Sequence, residues 1–285
     1  MSTAIMQVRR ATPADKDEVV ALSRAISEHD FIADGFDDWV ASPGPDGFYV
    51  AEQDGRIVGC YCLEFHAEGQ AYFFAMRIHP GAQGRGIGTE FCRLQVEQAR
   101  AAGAREIYLF SVLDNHRAHR TVEKNGFVNR GAWIVYDAVK QIPPQPPVKR
   151  ARWATPDDAP AIERFRRART HGPLAGVIAS PGSGWAVVTE GPTDWRPEQI
   201  ALVDGEAGLQ GLMLVTPTDD GPLLRWLDGS PEAAADLLAL FAKRLADDGH
   251  AAMGLSLPEA AEPLLTPLGL DPAGAFRAYV FHRYT

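Results

Sequence analysis

The chain has few cysteines and no long apolar run. Three cysteines in 285 residues are too few for the disulfide framework of a secreted domain. No run of about 18 apolar residues occurs, so we expect no membrane-spanning helix. Residues 1–5 lack a basic segment followed by an apolar one, so we expect no signal peptide. These absences favour a cytoplasmic protein without a membrane partner.

Basic charge and metal-binding clusters are also scarce. The formal net charge is −9, whereas a nucleic-acid partner would need a basic surface. The acidic balance is compatible with a cationic amine substrate. Cys60 and Cys62 share one face of an expected strand, but no second pair or histidine cluster stands at metal-ligand spacing. We expect both, like Cys92, to lie in the core, and we predict no metal site.

A glycine-rich segment, Gln83-Gly84-Arg85-Gly86-Ile87-Gly88, stands between an apolar run and an amphipathic run that begins at Thr89. This order predicts a strand, a turn and a helix start. Glycine permits close backbone approach, and the free N–H groups at a helix start attract anions. The spacing matches neither the dinucleotide fingerprint nor the phosphate loop that ends in Lys and Ser or Thr. We predict a phosphate-binding turn.

A second patterned segment follows about twenty residues later. The continuous apolar run 106–112 predicts a buried strand, and 115–125 predicts a helix. This helix begins with Asn115-His116-Arg117-Ala118 and ends in Glu123-Lys124-Asn125-Gly126-Phe127. Gly126 is expected to end it in a left-handed conformation.

These two segments resemble the signatures of the GNAT superfamily, the GCN5-related N-acetyltransferases. The loop matches Gln-x-x-Gly-x-Gly, and Asn115, Ala118, Gly126 and Phe127 occupy the places of the second signature. The resemblance implies acetyl-CoA as co-substrate. It implies that backbone groups of Met76, Arg77 and Ile78 bind the pantetheine arm, and that Asn115 and Ala118 contact the coenzyme. The implied pyrophosphate site comprises Gln83, Gly84, Arg85, Gly86, Ile87, Gly88 and Thr89.

The chain repeats itself around a proline-rich segment. Residues 141–149 are predicted to be a linker, because Pro143-Pro144 and Pro146-Pro147 exclude a regular helix or central strand. Residues 8–15 and 151–158 each contain a short strand, then Thr at a helix N-cap and Pro at the first helical position. We predict a catalytic GNAT domain at 1–140 and a degenerate GNAT-like domain at 150–285. The fold class is α/β (α+β), with tandem GNAT folds and a mixed central sheet flanked by helices.

The predicted elements follow the same order in both halves. In the first half they are helix 13–28, strands 47–53, 56–65 and 70–78, helix 88–102, strand 105–112, helix 115–125 and strand 131–138. In the second they are helix 156–170, strands near 184–190, 199–203 and 209–215, helix 231–247, strand 251–257, helix 259–268 and strand 275–282.

The second half has lost both signatures. Leu227-Asp228-Gly229-Ser230-Pro231 stands where the glycine loop should be, and an acidic residue there repels phosphate. The Asn-x-x-Ala pattern is missing from 256–259. We expect this half to bind no coenzyme and to wall the substrate site.

The proton-transfer residues depart from the family pattern. Strand 71–75 has no carboxylate, so the base is predicted to be Glu64 or His66, which share a strand face; a water chain is an equal alternative. Val122 stands where the resemblance implies a tyrosine acid. The predicted substitutes are His119, Ser111 or Tyr108, and a dedicated acid is not required if the thiolate leaves readily.

The segment 28–39 interleaves carboxylates with aromatic residues. Asp30, Phe31 and Trp39 are predicted to grip an ammonium group by charge and cation–π contact. The alternative is a solvated loop anchored by Phe36 and Trp39. Together with 76–80, this segment is similar to histidine N-acetyltransferase-like proteins, which also join an active domain to a degenerate one.

The sequence therefore predicts an acetyl-CoA-dependent N-acetyltransferase that acts on the primary amine of a small molecule. The alternatives are a protein or peptide N-acetyltransferase and a non-catalytic acyl-CoA sensor. Mycothiol synthases also have tandem domains, but the resemblance places their active copy at the C-terminus, whereas the intact loop here is N-terminal. We expect a monomer or homodimer.

Overall fold

The chain divides into two compact units in a computed structural model. Unit 1 comprises Met1–Asn129 with Val280–Thr285, and unit 2 comprises Arg130–Tyr279. The described residues are 6–67, 69–84, 86–139, 146–169, 177–179, 185–187, 196–217, 221–250, 253–269 and 275–285. Within them, no helix is both long and apolar enough to cross a membrane.

Both units contain helices and strands. Up to residue 139 they are β1 Gln7–Arg10, α1 Lys16–Arg24, α2 Ile32–Ala41, β2 Gly47–Gln53, β3 Arg56–Ala67, β4 Gln70–Ile78, α3 Ile87–Ala101, β5 Glu106–Val112, α4 His116–Lys124 and β6 Val128–Val139. The remainder are β7 Ala151–Trp153, α5 Ala159–Arg169, β8 Val177–Ala179, β9 Trp185–Val187, β10 Ile200–Gly205, β11 Gly208–Thr216, β12 Leu223–Gly229, α6 Pro231–Asp247, β13 Met253–Pro258 and β14 Phe276–Tyr284.

Unit 1 is built on a mixed sheet. Strands β1 to β4 pair antiparallel in chain order, and β4 pairs parallel with β5. The end of β14 lies beside β5. Thr285 fixes this end, because its N–H donates to the Arg105 carbonyl at 3.0 Å and its hydroxyl to the Ala104 carbonyl at 2.7 Å. On one sheet face, α1 and α2 cover a core that includes Phe36, which is fully buried.

Unit 2 repeats this arrangement with its own strands. The order is β6-β13-β12-β11-β10-β7, in which β12 and β13 are parallel and the other pairs antiparallel. One apolar cluster lies against α6 and another against α5, on opposite sheet faces. The mixed sheet with flanking helices confirms the predicted class.

Both units contain the same arrangement, an arginine on β1 in one and on β7 in the other that binds two carboxylates, which we call the corner. In unit 1, both Nη atoms of Arg9 bind the Asp15 carboxylate at 2.8 Å, and Nε binds Glu52 at 3.0 Å. In unit 2, Arg152 binds Asp158 at 2.8 and 2.7 Å through its Nη atoms, and its Nε binds Asp204 at 2.7 Å. The predicted Thr caps are both present as capping boxes, at Thr12 and at Thr155.

Several predicted elements need correction. Helix 13–28 is a 3-10 turn, Pro13–Asp15, followed by α1, which ends at Arg24. Segment 28–39 was not predicted to contain a helix, but it includes most of α2, which packs through the buried side chains of Ile32 and Phe36. Its polar face and internal Gly35 are features of a loop as well. Strands β8 and β12 were also missed. Segment 259–268 is 3-10 rather than α-helical, and Pro263 within it lacks the N–H that an α-helix needs.

The units differ in extent from the predicted domains 1–140 and 150–285. Residues 133–139 of β6 pair with β13 inside unit 2, whereas residues 280–285 belong to unit 1. Residues 140–145 of the predicted linker lie outside the described part of the chain.

Candidate functional site

The parallel strands β4 and β5 separate partway along their length. Their pairing runs from Gln70↔Glu106 to Phe73↔Leu109, and no later pair occurs among the described residues. Immediately beyond, the register between β3 and β4 shifts, from Cys62↔Phe74 to Cys60↔Arg77. This is a β-bulge, and Ala75 within it has a φ of 54°. A bulge bends its strand, so beyond Phe73 and Leu109 the backbones of β4 and β5 are not paired with each other among the described residues. We call this opening the β4–β5 gap.

The glycine loop lies at the end of β4 and supplies N–H groups. Gly84 and Gly86 have φ values of 81° and 80°, which favour glycine, and a Cβ on either would meet nothing within 4 Å. The N–H groups of Thr89 and Glu90 donate to the Gly86 carbonyl. Those of Gly84, Gly86, Ile87 and Gly88 have no acceptor among the described residues. Together with the positive end of α3 these groups are suited to an anion, and we call this turn the glycine cradle.

The other predicted loop residues hold this cradle in position. The Gln83 amide nitrogen donates to the Ile78 carbonyl at 3.0 Å, and its oxygen accepts from Arg117 on α4. A Cβ on Gly88 would lie 3.1 Å from the Ile78 side chain, so glycine lets α3 start against β4. Arg85 lies outside the described residues.

The second signature caps the start of α4 and ties its end to the start of α3. The Asn115 side-chain oxygen caps α4 by accepting the Ala118 N–H at 3.2 Å, and Asn115 is exposed. The Asn125 amide donates to the Thr89 carbonyl at 3.2 Å and to the Thr121 carbonyl at 3.0 Å. Gly126 has a φ of 81°, which confirms the predicted left-handed helix end. The cap gives the Asn-x-x-Ala spacing a structural reason.

Glu64 lies on the sheet face that carries an aromatic row. Its β4 partner Tyr72 stacks on Phe74, with ring centroids 5.4 Å apart. Burial, and secondarily the charge of Asp46, raise the pKa of Glu64. The raised pKa suits a proton acceptor. The side chain of His66 lies outside the described part of the structure.

The predicted acids lie on the other side of the sheet or within the core. Alternation from Leu109 places Ser111 on the face opposite to Glu64. The His119 ring is 8% exposed, and its Nε2 lies 3.0 Å from the Val112 carbonyl. The Tyr108 hydroxyl donates to Glu106. Val122, which stands where the resemblance implies a tyrosine, is buried. The acid role of these residues stays a prediction.

Two predicted substrate residues, Asp30 and Phe31, lie at the start of α2, and the third, Trp39, lies near its end. The Asp30 carboxylate accepts from Arg77 Nε at 2.6 Å and from the Ile32 N–H at 3.1 Å, and its side chain is 2% exposed. This buried ion pair was not predicted, and it competes with the predicted ammonium contact. Phe31 is 49% exposed, with the Arg77 guanidinium 5.4 Å from its ring.

The aromatic row continues from this point towards β5. Its members are Phe31, Trp39, Phe74, Tyr72 and Phe110, with neighbouring centroids 6.0, 5.2, 5.4 and 5.9 Å apart. Sequence reasoning found the first two and missed the rest, although strand alternation from Tyr72 could have supplied them. Among the described side chains, no group of His, Cys, Asp and Glu is arranged to bind a metal ion.

Comparisons with known proteins agree with this geometry. Residues 15–127 match the acetyltransferase (GNAT) family. A mycothiol acetyltransferase of Streptomyces avermitilis is 32% identical over 103 residues, which cover 35% of this chain and 33% of that protein. One of Streptomyces griseus is 30% identical over 140 residues, or 45% of each chain. The chain thus spans about a third to under a half of the length of these relatives.

A solved structure extends the comparison of the fold. The crystal structure of a GCN5-related N-acetyltransferase from Sphaerobacter thermophilus matches 98% of this chain and 95% of that one, with a TM-score of 0.56 and 16% identity. At this identity the match shows the fold alone, and it confirms the predicted fold. Residues 15–127 are therefore an acetyltransferase domain of the GNAT family.

Proposed function

We propose that the protein transfers an acetyl group from acetyl-CoA to the primary amine of a small molecule. The observation that carries this proposal is the adjacency of the β4–β5 gap and the glycine cradle in unit 1. The gap offers backbone groups to an extended arm, and the cradle at its end offers N–H groups to phosphate. Bound acetyl-CoA would supply the acetyl thioester.

The cradle fits a pyrophosphate by both shape and charge. Gly84 and Gly86 leave open space where a Cβ would stand, and four N–H groups lack acceptors within the described residues. The predicted coenzyme contacts of Met76, Arg77 and Ile78 fit the bulged end of β4. The Met76 carbonyl already accepts from Arg77, and the Ile78 carbonyl accepts from Gln83, but each oxygen has a second lone pair.

Glu64 is the proposed proton acceptor for the amine. An amine must lose a proton before it can attack the thioester, and a half-buried carboxylate with a raised pKa can take it directly or through water. Aromatic faces beside a carboxylate also attract a cationic amine, so the aromatic row supports a small amine as acceptor. The acidic chain is consistent with this choice.

Unit 2 is proposed to be a related domain that binds no coenzyme. The repeated corner of Arg9 and Arg152 supports a common origin for the two halves. The start of α6 differs from that of α3, because the Ser230 hydroxyl accepts the Ala233 N–H at 3.2 Å. Nearby, a Cβ on Gly229 would lie 2.6 Å from the Gln210 carbonyl, so this turn is closely packed.

Titration calorimetry with acetyl-CoA tests the coenzyme site. Gly86→Ala places a methyl group in the cradle, and we expect about a tenfold or greater rise in Kd, equivalent to ~1.4 kcal/mol. Gly103→Ala is the matched control, because Gly103 also has a positive φ, 95°, and open space at its Cβ. Both substitutions cost about 1 kcal/mol of backbone strain. An equal loss of affinity in the two variants would contradict the proposed cradle.

Release of the free coenzyme thiol on a panel of amines tests turnover. A small-molecule N-acetyltransferase releases thiol with at least one small amine, and Glu64→Gln should reduce that release while leaving acetyl-CoA affinity unchanged. Binding without release on any small amine, peptide or protein would instead favour a sensor. Release with peptides alone would favour a protein N-acetyltransferase.

A further inference from the structure

Unit 2 has a bulge of its own where its parallel strands separate. The pairing of β12 with β13 ends at Leu224↔Leu255 among the described residues. On the other side of β12, Val215↔Leu224 is followed by Leu214↔Trp226, so Arg225 is an extra residue in the ladder. The bulge therefore places an arginine, rather than an alanine as in unit 1, at the strand opening.

Arg225 is buried, and its guanidinium has no carboxylate partner among the described residues. It is 1% exposed, and within that part of the chain its Nε and Nη2 atoms have no hydrogen-bond partner. Burial lowers the pKa of Arg225 to about 10, so the guanidinium is still protonated at neutral pH. Its strand neighbours Leu224 and Trp226 belong to two apolar clusters on opposite faces of the sheet. A buried charge left in this state is costly.

The two unpartnered nitrogens determine which ligand fits. Nε and Nη2 lie on one edge of the guanidinium plane, and their N–H bonds are parallel. This edge matches two oxygens on a single carbon or phosphorus atom, as in a carboxylate or a phosphate. Ser256, a 5% exposed residue, follows Leu255, the last β13 residue that pairs with β12 among the described residues.

We propose that unit 2 binds a small oxyanion, a carboxylate or a phosphate, through the Nε–Nη2 edge of Arg225 at the β12–β13 opening. This site is independent of the coenzyme cradle of unit 1. It also differs from a helix-end phosphate site, because Ser230 already caps α6. A ligand of this kind neutralises the buried guanidinium and so stabilises the folded unit.

Differential scanning calorimetry of the full chain, without acetyl-CoA, tests the site. Wild type is compared in sodium acetate, sodium phosphate and sodium chloride at equal ionic strength and pH. We expect acetate or phosphate to raise the Tm by about 3 °C over chloride near saturation. The salt that gives the larger rise identifies the anion as carboxylate or phosphate.

Two variants assign the effect to Arg225. Arg225→Met keeps a long side chain without the charge; it should abolish the anion-dependent rise and unfold in chloride at a Tm no lower than that of wild type. Lys243→Met removes an exposed cation of unit 2 that pairs with Asp247, and it should keep the full rise. No rise in wild type, an unchanged rise in Arg225→Met, or a lower Tm of that variant in chloride would each overturn the proposal.

Discussion

The buried ion pair between Asp30 and Arg77 allows two roles of Asp30 to be distinguished, a structural role and direct binding of the substrate. The sequence predicts that Asp30 binds the substrate ammonium, whereas the structure shows its carboxylate bonded to Arg77 and to the Ile32 N–H. Asp30→Ala, Arg77→Met and the double variant form a cycle that separates the roles. We expect the ion pair to have a structural role and to hold Phe31 in its place in the aromatic row.

The expected loss in free energy of unfolding follows from the exposure of the Asp30 and Arg77 side chains. Asp30→Ala loses a charge-assisted hydrogen bond of a side chain that is 2% exposed, and also a bond to a helix-start N–H, so it should cost about 3 kcal/mol. The Arg77 side chain is 22% exposed, and water can partly hydrate the guanidinium left behind. The coupling free energy in the cycle should therefore be about 2 kcal/mol.

The assays are urea unfolding and steady-state kinetics with the best amine. Both single variants should change the amine KM alike, because each removes the same support from Phe31. Asp37→Ala is the control on α2: this carboxylate is 67% exposed and pairs with Lys16, so its loss should cost less than about 0.5 kcal/mol.

A direct role in substrate binding would give a different pattern. If Asp30 binds the ammonium, Asp30→Ala raises the amine KM by about 100-fold, equivalent to about 2.7 kcal/mol, while Arg77→Met leaves it near the wild-type value. That result, or a coupling free energy near zero, would refute the structural role.

Two further predictions concern carboxylates elsewhere in the chain. The Asp236 carboxylate accepts the N–H groups of residues 149–151 at 2.7, 2.6 and 2.7 Å, so Asp236→Ala should lower the free energy of unfolding by about 3 kcal/mol in urea titrations, against less than about 0.5 for exposed Asp247→Ala. Burial raises the pKa of Asp236, but these hydrogen bonds lower it by more, so the pKa of the folded carboxylate lies below its usual value. Their contribution to stability should therefore be lost as the pH falls through the folded-state pKa. If Glu64 is the base, kcat/KM should fall as the pH drops through its raised pKa. Asp46→Asn, which keeps the oxygen that accepts the Phe65 N–H, should shift that limb to lower pH, and an unshifted limb would exclude Glu64.

Periodicity predicted the regular elements well where one face is clearly apolar. Strands Gly47–Gln53 and Gln70–Ile78 and helix Pro231–Asp247 have the predicted bounds. Helix α2 was missed although its buried residues Ile32 and Phe36 stand at helical spacing. Gly35 and the aspartates between the apolar residues instead favoured a loop. The exchange of segments between units was also invisible, since strand pairing over such a distance in sequence leaves no local pattern.

At the candidate site, the sequence predicted the backbone conformation of the glycine loop better than the partners of the side chains. The positive φ of Gly84 and Gly86 follows from their residue type, and so does the helix cap of Asn115. The positive φ of Ala75 does not, because alanine rarely adopts it and only the surrounding sheet imposes it. The Asp30 carboxylate was expected to face a substrate, and its partner lies 47 residues away on β4.

The inclusion of residues 280–285 in unit 1 has a consequence for synthesis of the protein. The ribosome completes 6–129 long before it adds the strand that lies beside β5, so the nascent acetyltransferase domain leaves that edge of β5 without a strand from residues 280–285 in the meantime. An unpaired strand edge is a template for association with other chains. We therefore expect unit 1 to complete its strand pairing only after residues 280–285 have been translated.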